Sequence, residues 1–200
     1  MAICFQRKEI LERLQKEIKA GNPLLMFGAG TGLTAKCAEL GGADLIAVYS
    51  TAHYRMMAQP SLLAWLPYEN ANELVVRMAK EILPAVKETP CIAGIGAHDP
   101  RLDMNSFIDQ LLETGFCGIT NEPFVGIYGQ EFAAQLEAAG LGFSKEVELI
   151  RTCHQRDVFT VAWAFTPDEG RAMANAGADV IGAIVGVTAG GLTGTTKAQT

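Results

Sequence analysis

The sequence predicts an α/β fold: a (β/α)8 barrel, truncated after its sixth strand and opened by a capping helix. Three observations predict it. Short apolar segments alternate with amphipathic ones along the chain, the rhythm of strand and helix in a parallel sheet. The apolar segments lack polar alternation, as strands buried on both faces do. Three junctions also look alike: AELGGADLIAV, LLETGFCGITN and MANAGADVIGAI. Each is a helix end, a Gly suited to a left-handed cap, and a short strand.

The elements follow in order. Residues 8–20 set Ile10, Leu11, Leu14 and Ile18 on one face among charges, a helix that Gly21-Asn22-Pro23 stops. Strands are expected over 24–29, 44–50, 91–97, 116–121, 158–164 and 179–186. Helices are expected over 32–40, 71–88, 104–114 and 168–176, with two more in 130–155 split at Gly140-Leu141-Gly142. A doubly wound open sheet competes with the barrel. A barrel usually needs about 250 residues, and this chain stops after the sixth strand in VTAGGLTGTTKAQT. The barrel reading therefore expects one domain over residues 1–200, the first three-quarters of a longer protein. Residues 1–21 form the capping helix and residues 22–200 six βα units. The first and sixth strands would then carry unpaired edges, which predicts marginal stability or association.

Composition narrows the class. With 49% hydrophobic and 19% charged residues, the chain can fill a core. The net charge of -6 is spread along the chain with no basic stripe, so nucleic acid is not an expected partner. Charged residues from Arg7 to Glu17 interrupt any signal-peptide pattern, and no apolar run is long enough for a membrane span. The five cysteines are scattered without a CxxC or zinc spacing, which reads as reduced thiols in a cytoplasmic protein. Cys153 and His154 fall on a helix away from any strand end and are read as structural.

Candidate chemistry collects where strands end, because ligands bind at the carboxyl ends of parallel strands. GAGTGL (28–33) departs from a dinucleotide fingerprint: its glycines stand at positions 1, 3 and 5, and the second strand ends in Tyr49-Ser50 rather than an acid. The turn either holds an anion on backbone amides at a helix N-terminus or is simply tight. The connection over 50–70 is unusually apolar. It reads as a lid that turns His53, Tyr54 and Arg55 to a substrate, or as an oligomer contact through Met56, Met57, Leu62, Leu63 and Trp65. His98 and Asp99 close the third strand, and Asn121 and Glu122 the fourth. A carboxylate there can act as base or hold a cation, and His98 can polarise a carbonyl. The alternative for both is a turn before proline. Trp163-Ala164-Phe165 ends the fifth strand as an apolar wall, with Trp163 read as barrel filling. Gly186, Thr188, Gly190, Gly191 and Gly194 form either an anion-binding loop or a tail.

Taken in order, LLMFGAGTGLTAKCAELGGADLIAVYS, HYRM, GIGAHDP, GITNEPFVG and GADVIGAIVGVTAGG resemble the phosphoenolpyruvate hydrolase-like TIM-barrel family over nearly the whole chain. That family is grouped with phosphoenolpyruvate mutase and phosphonopyruvate hydrolase. The resemblance implies a (β/α)8 barrel acting on a small oxo acid or phosphorylated acid through an enolate-like step. His98, Asp99, Glu122 and Arg55 are the expected catalytic set. Gly28, Gly30, Thr31, Gly32, Ser50, Tyr54, Asn121, Gly186 and Thr188 are expected to meet a small anionic substrate. The mutase relatives carry a run of acids that places Mg2+; here only Asp99 and Glu122 fall at suitable positions for it. A homo-oligomer is expected. The rival readings are a metabolite-binding or signal-transduction barrel without turnover, and an NAD- or flavin-using enzyme.

Overall fold

The computed structural model describes residues 5–191 and 193–195. Six parallel strands form one sheet in strict chain order: β1 (Met26–Ala29), β2 (Leu45–Val48), β3 (Cys91–Gly94), β4 (Gly118–Thr120), β5 (Phe159–Ala164) and β6 (Val180–Ala183). Each strand pairs with the one before it, the order of a barrel wall. A doubly wound sheet would break that order at a switch point. The molecule is a half-barrel of the (β/α)8 type. β1 and β6 each have one paired edge among the described residues.

The helices are α1 (Arg7–Lys19), α2 (Gly32–Leu40), α3 (Ser50–Met56), α4 (Ala71–Ala85), α5 (Met104–Thr114), α6 (Gln130–Ala138), α7 (Phe143–Gln155) and α8 (Pro167–Ala176). The expected strands are all present but shorter; β3 ends at Gly94, not at residue 97. The connection over 50–70 is partly regular, holding α3 and a 3₁₀ turn over Ser61–Trp65. Gly115 and Gly177 take the left-handed cap conformation expected of them. In the first junction that conformation falls on Gly42, one residue later than the helix cap. No helix among the described residues is long and apolar enough to cross a membrane.

Side-chain alternation divides the core in two. Ile46, Val48, Ala93 and Ile119 turn outward against α4 and α5, where Leu74, Met78, Ile82 and Ile108 meet them. Leu45, Ala47, Ile92, Phe159 and Val161 turn inward and meet Ile10 and Leu14 of α1. The leading helix thus plugs the end of the barrel opposite the strand C-termini. An ion pair secures it. Arg7 donates from Nε and Nη2 to Asp179 Oδ1 at 3.0 and 2.8 Å. Asp179 Oδ2 accepts the Thr160 N–H at 3.0 Å, so one carboxylate ties α1 to the starts of β5 and β6. His154 serves the same clasp, with Nδ1 3.2 Å from Arg7 Nη2.

Candidate active site

Past the C-terminal ends of the strands lies a cavity of about 180 Å³. Its polar lining comes from Tyr49, Thr51, Arg55, Ser61, Glu122 and Thr188, and its apolar lining from Trp65, Phe124, Trp163, Ile184 and Val187, with Gly186 at the rim. β4 delivers Glu122 two residues after its last paired residue. β2 delivers Tyr49, and α3, starting directly after it, delivers Thr51 and Arg55. The roof is pinned by aromatic residues. Trp65 Nε1 donates to the Phe124 carbonyl at 2.7 Å, and Tyr128 Oη donates to the Trp65 carbonyl at 3.1 Å.

Glu122 is the chemical centre of this cavity. It is 2% exposed. Oε1 accepts long hydrogen bonds from Ser50 Oγ and the Thr51 N–H, both at 3.4 Å. Oε2 makes no hydrogen bond among the described residues, and neither does Thr120 Oγ1 two residues earlier on the same face. Burial without compensation disfavours the charged form. It pushes Glu122 up to about 7, against the pull of Thr51, Arg55 and Ser50. Arg55 has no ion pair within 4.0 Å among the described residues, so its charge is held beside the cavity rather than spent on a neighbour. Tyr49 and Arg55 converge over Gly28, where a Cβ would lie 2.4 Å from Tyr49 Oη and 2.9 Å from Arg55 Nη2. Burial also raises the Tyr49 phenol, with Arg55 opposing, so it stays a neutral hydroxyl.

The structure thus brings together Gly28, Ser50, Arg55, Glu122, Gly186 and Thr188 from the expected set, and leaves the others elsewhere. Asp99 lies outside this cavity. Its Oδ1 accepts from Arg101 Nε at 2.9 Å and its Oδ2 from Asn70 Nδ2 at 2.7 Å. Those donors hold its carboxyl well below the usual range. β3 stops at Gly94, so Asp99 stands in a turn rather than on the strand end, and its carboxylate is taken up by Arg101 and Asn70. His98 turns to a different cleft, with Nε2 3.6 Å from Glu146 Oε1. Tyr54 is buried with Oη 3.4 Å from Glu69 Oε2. Asn121 faces Trp163 and Glu146.

The Gly-rich turn is a closed helix cap. Thr31 Oγ1 accepts the Thr34 N–H at 3.3 Å, and the Gly32 N–H donates to Glu81 Oε1 at 2.7 Å. An anion at that helix N-terminus would find these amides engaged. Thr51, Trp65 and Trp163 join the lining, where Trp65 was expected in an oligomer contact and Trp163 as barrel filling. For Tyr49 and Trp163 the signal was their place at a strand end on the inward alternation.

A shared magnesium at Asp99 and Glu122 does not fit this arrangement, because the two acids line different cavities. No group of three or more His, Cys, Asp or Glu suited to a metal comes together among the described residues. A cation beside Glu122 would face hydroxyls and the positive charge of Arg55.

Comparison with known proteins agrees with the architecture. The chain is 45% identical over 189 residues to the tomato (Solanum lycopersicum) ToMV susceptible protein tm-1(GCR26), covering 94% of this chain and 25% of that protein. It thus spans about a quarter of that relative's length. Phosphoenolpyruvate phosphomutase from Streptomyces platensis subsp. rosaceus superposes with a TM-score of 0.58 at 19% identity, over 86% of this chain and 62% of that one. Phosphonopyruvate hydrolase in complex with oxalate and Mg2+ superposes with a TM-score of 0.58 at 18% identity, with the same coverage. Both likenesses carry the fold. The model of the family described as phosphoenolpyruvate hydrolase-like matches residues 9–200, and the chain belongs to that family.

Proposed function

We propose that this chain is an enzyme acting on a small oxo acid, or a phosphorylated or phosphono acid, through an enolate-like step. One observation carries the reading: a buried carboxyl with an unpartnered oxygen faces a cavity beside a guanidinium free of ion pairs. A group pushed up to about 7 is divided between its two forms near neutral pH, which suits proton transfer in either direction. Arg55 offers paired donors that match a substrate carboxylate. As carboxylate, Glu122 takes a proton from the carbon next to the substrate carbonyl. The C–H electron pair becomes the enolate double bond, and the carbonyl π pair moves onto oxygen. Arg55 and the Tyr49 hydroxyl stand where that oxygen's charge is stabilised. Trp65, Phe124 and Trp163 give the cavity an apolar wall. The oxalate named in the phosphonopyruvate hydrolase complex is a small carboxylate anion, similar in size and charge to the acids proposed here.

Proton NMR in D2O tests this directly. The chain is expected to exchange the methyl protons of pyruvate for deuterium and to lose that activity as Glu122→Gln. A second reading, a metabolite-binding barrel without turnover, is favoured by the absence of a metal-suited acid cluster among the described residues. Oxo-acid binding by calorimetry with no exchange over hours would select it. We also propose self-association through the exposed Met57, Leu62, Leu66 and Tyr68 near the cavity roof. Sedimentation velocity of the wild type and a Leu62→Glu, Tyr68→Glu variant tests that contact.

A further inference from the structure

Behind the cavity wall lies a second buried acid that the proposed reaction does not use. Glu146 of α7 is 1% exposed. Its Oε1 accepts the Val125 N–H at 2.7 Å, and its Oε2 accepts from the Asn121 side-chain amide. Asn121 is itself fixed. Its Oδ1 accepts the Trp163 N–H at 2.7 Å, and its Nδ2 donates to the Trp163 carbonyl at 3.2 Å. The Trp163 backbone therefore decides which end of the amide is the donor, and the second Nδ2 hydrogen is left for Glu146. One carboxyl thus joins α7, the end of β5 and the loop after β4. Glu122 stands in that loop between the two anchored residues, Asn121 and Val125. Glu122 and Trp163 both line the cavity.

We propose that Glu146 is a positioning residue for the candidate site: by holding Asn121 and Val125 it sets how Glu122 stands in the cavity. The inference rests on the reading of Glu122 as proton carrier. The position asks for two acceptors side by side. A glutamine supplies one acceptor and one donor, so its NH2 must face either the Val125 N–H or Asn121 Nδ2. Burial pushes Glu146 up to about 8, with the Val125 and Asn121 hydrogen bonds opposing. In either protonation state both carboxyl oxygens keep a lone pair for these N–H groups, whereas the NH2 of a glutamine has none to offer. On its open side stands His98 Nε2, which burial favours in the neutral form. Glu169 is the other acid that acts on Glu146.

The test uses the full chain labelled with 13C at glutamate side-chain carboxyls. The Glu122 resonance is assigned by its loss in Glu122→Gln. Expected for Glu146→Gln is a displaced Glu122 titration midpoint. The pyruvate exchange rate should fall roughly tenfold to a hundredfold, and pyruvate affinity should change less than about threefold. Glu113→Gln, at an exposed helix position, should change none of these. A folded Glu146→Gln protein with an unmoved midpoint and wild-type exchange overturns the inference. Should that variant fail to fold, Glu146→Asp keeps both acceptors on a shorter arm and is read by the same criteria. Should the wild type show no exchange, the proton-carrier reading fails, and the Glu122 midpoint alone decides the positioning role.

Discussion

The Thr51 backbone N–H points at Oε1 of Glu122 from 3.4 Å, while Oε2 of the same carboxyl has no hydrogen-bond partner among the described residues. That asymmetry leaves one oxygen for a substrate proton. Glu122→Gln keeps the volume and the Thr51 contact but cannot take up a proton. Pyruvate exchange should fall by at least about a hundredfold with near-normal binding. Arg55→Lys should weaken binding instead, because an ammonium cannot clasp a carboxylate at two points. Calorimetry and exchange NMR on both variants separate the two effects.

Gly94 should resist even one added methyl. A Cβ there would lie 2.6 Å from Tyr49 Cβ and 3.0 Å from the Glu122 carbonyl oxygen. Neither is the flexible end of a side chain, so backbone must move. Gly94→Ala is expected to cost about 1–3 kcal/mol in urea denaturation and to abolish exchange by displacing Tyr49 and Glu122 together.

Stability should depend on pH with an unusual slope. Glu122 and Glu146 have folded values near 7 and 8 against an ordinary 4.5. For acids raised on folding, the favourable contribution is complete below pH 4.5 and is lost as pH climbs through the folded values. Glu39 works the other way. Three backbone N–H groups and Lys36 bring it down to about 2, with burial opposing. Its contribution is therefore present above pH 4.5 and lost as pH falls toward 2. The midpoint urea concentration should peak near pH 4 to 5 and decline toward pH 8. A Glu122→Gln, Glu146→Gln double variant should flatten the alkaline decline, which a urea series at fixed pH values measures.

Ile10 is fully buried at the plug, among Leu45, Ile92 and Phe159. Ile10→Ala should destabilise by about 2–4 kcal/mol, while Ile18→Ala on the exposed end of the same helix should change little. Thermal unfolding by circular dichroism distinguishes the two.

The strands were legible because burial on both faces leaves a plain mark: LIAV and CIAG hold no polar residue to interrupt them. The helix ends were legible through glycine chemistry at residues 115 and 177. Glu122 was legible from its place after β4. Asp99 looked equivalent, and the difference lay outside sequence reach. Its partner Asn70 is 29 residues away and is brought close only by packing. The sequence left the Gly28–Gly32 turn open between an anion site and a tight turn for a similar reason, since Glu81 is 49 residues from the amide it occupies. Short-range pattern locates strand ends; which polar group is already engaged depends on long-range packing.

The clasp between Arg7 and Asp179 spans 172 positions of chain. During synthesis at about 5–20 residues per second, α1 leaves the ribosome on the order of ten to thirty seconds before its acidic partner exists. Its apolar face, Ile10 and Leu14, can meet Leu45 soon after it is made, but Phe159 and Val161 only more than a hundred residues later. α1 is thus locked only after β5 and Asp179 have been made. A newly made chain passes through a stage with an open floor, when a chaperone or another nascent copy competes for the surface that α1 will seal.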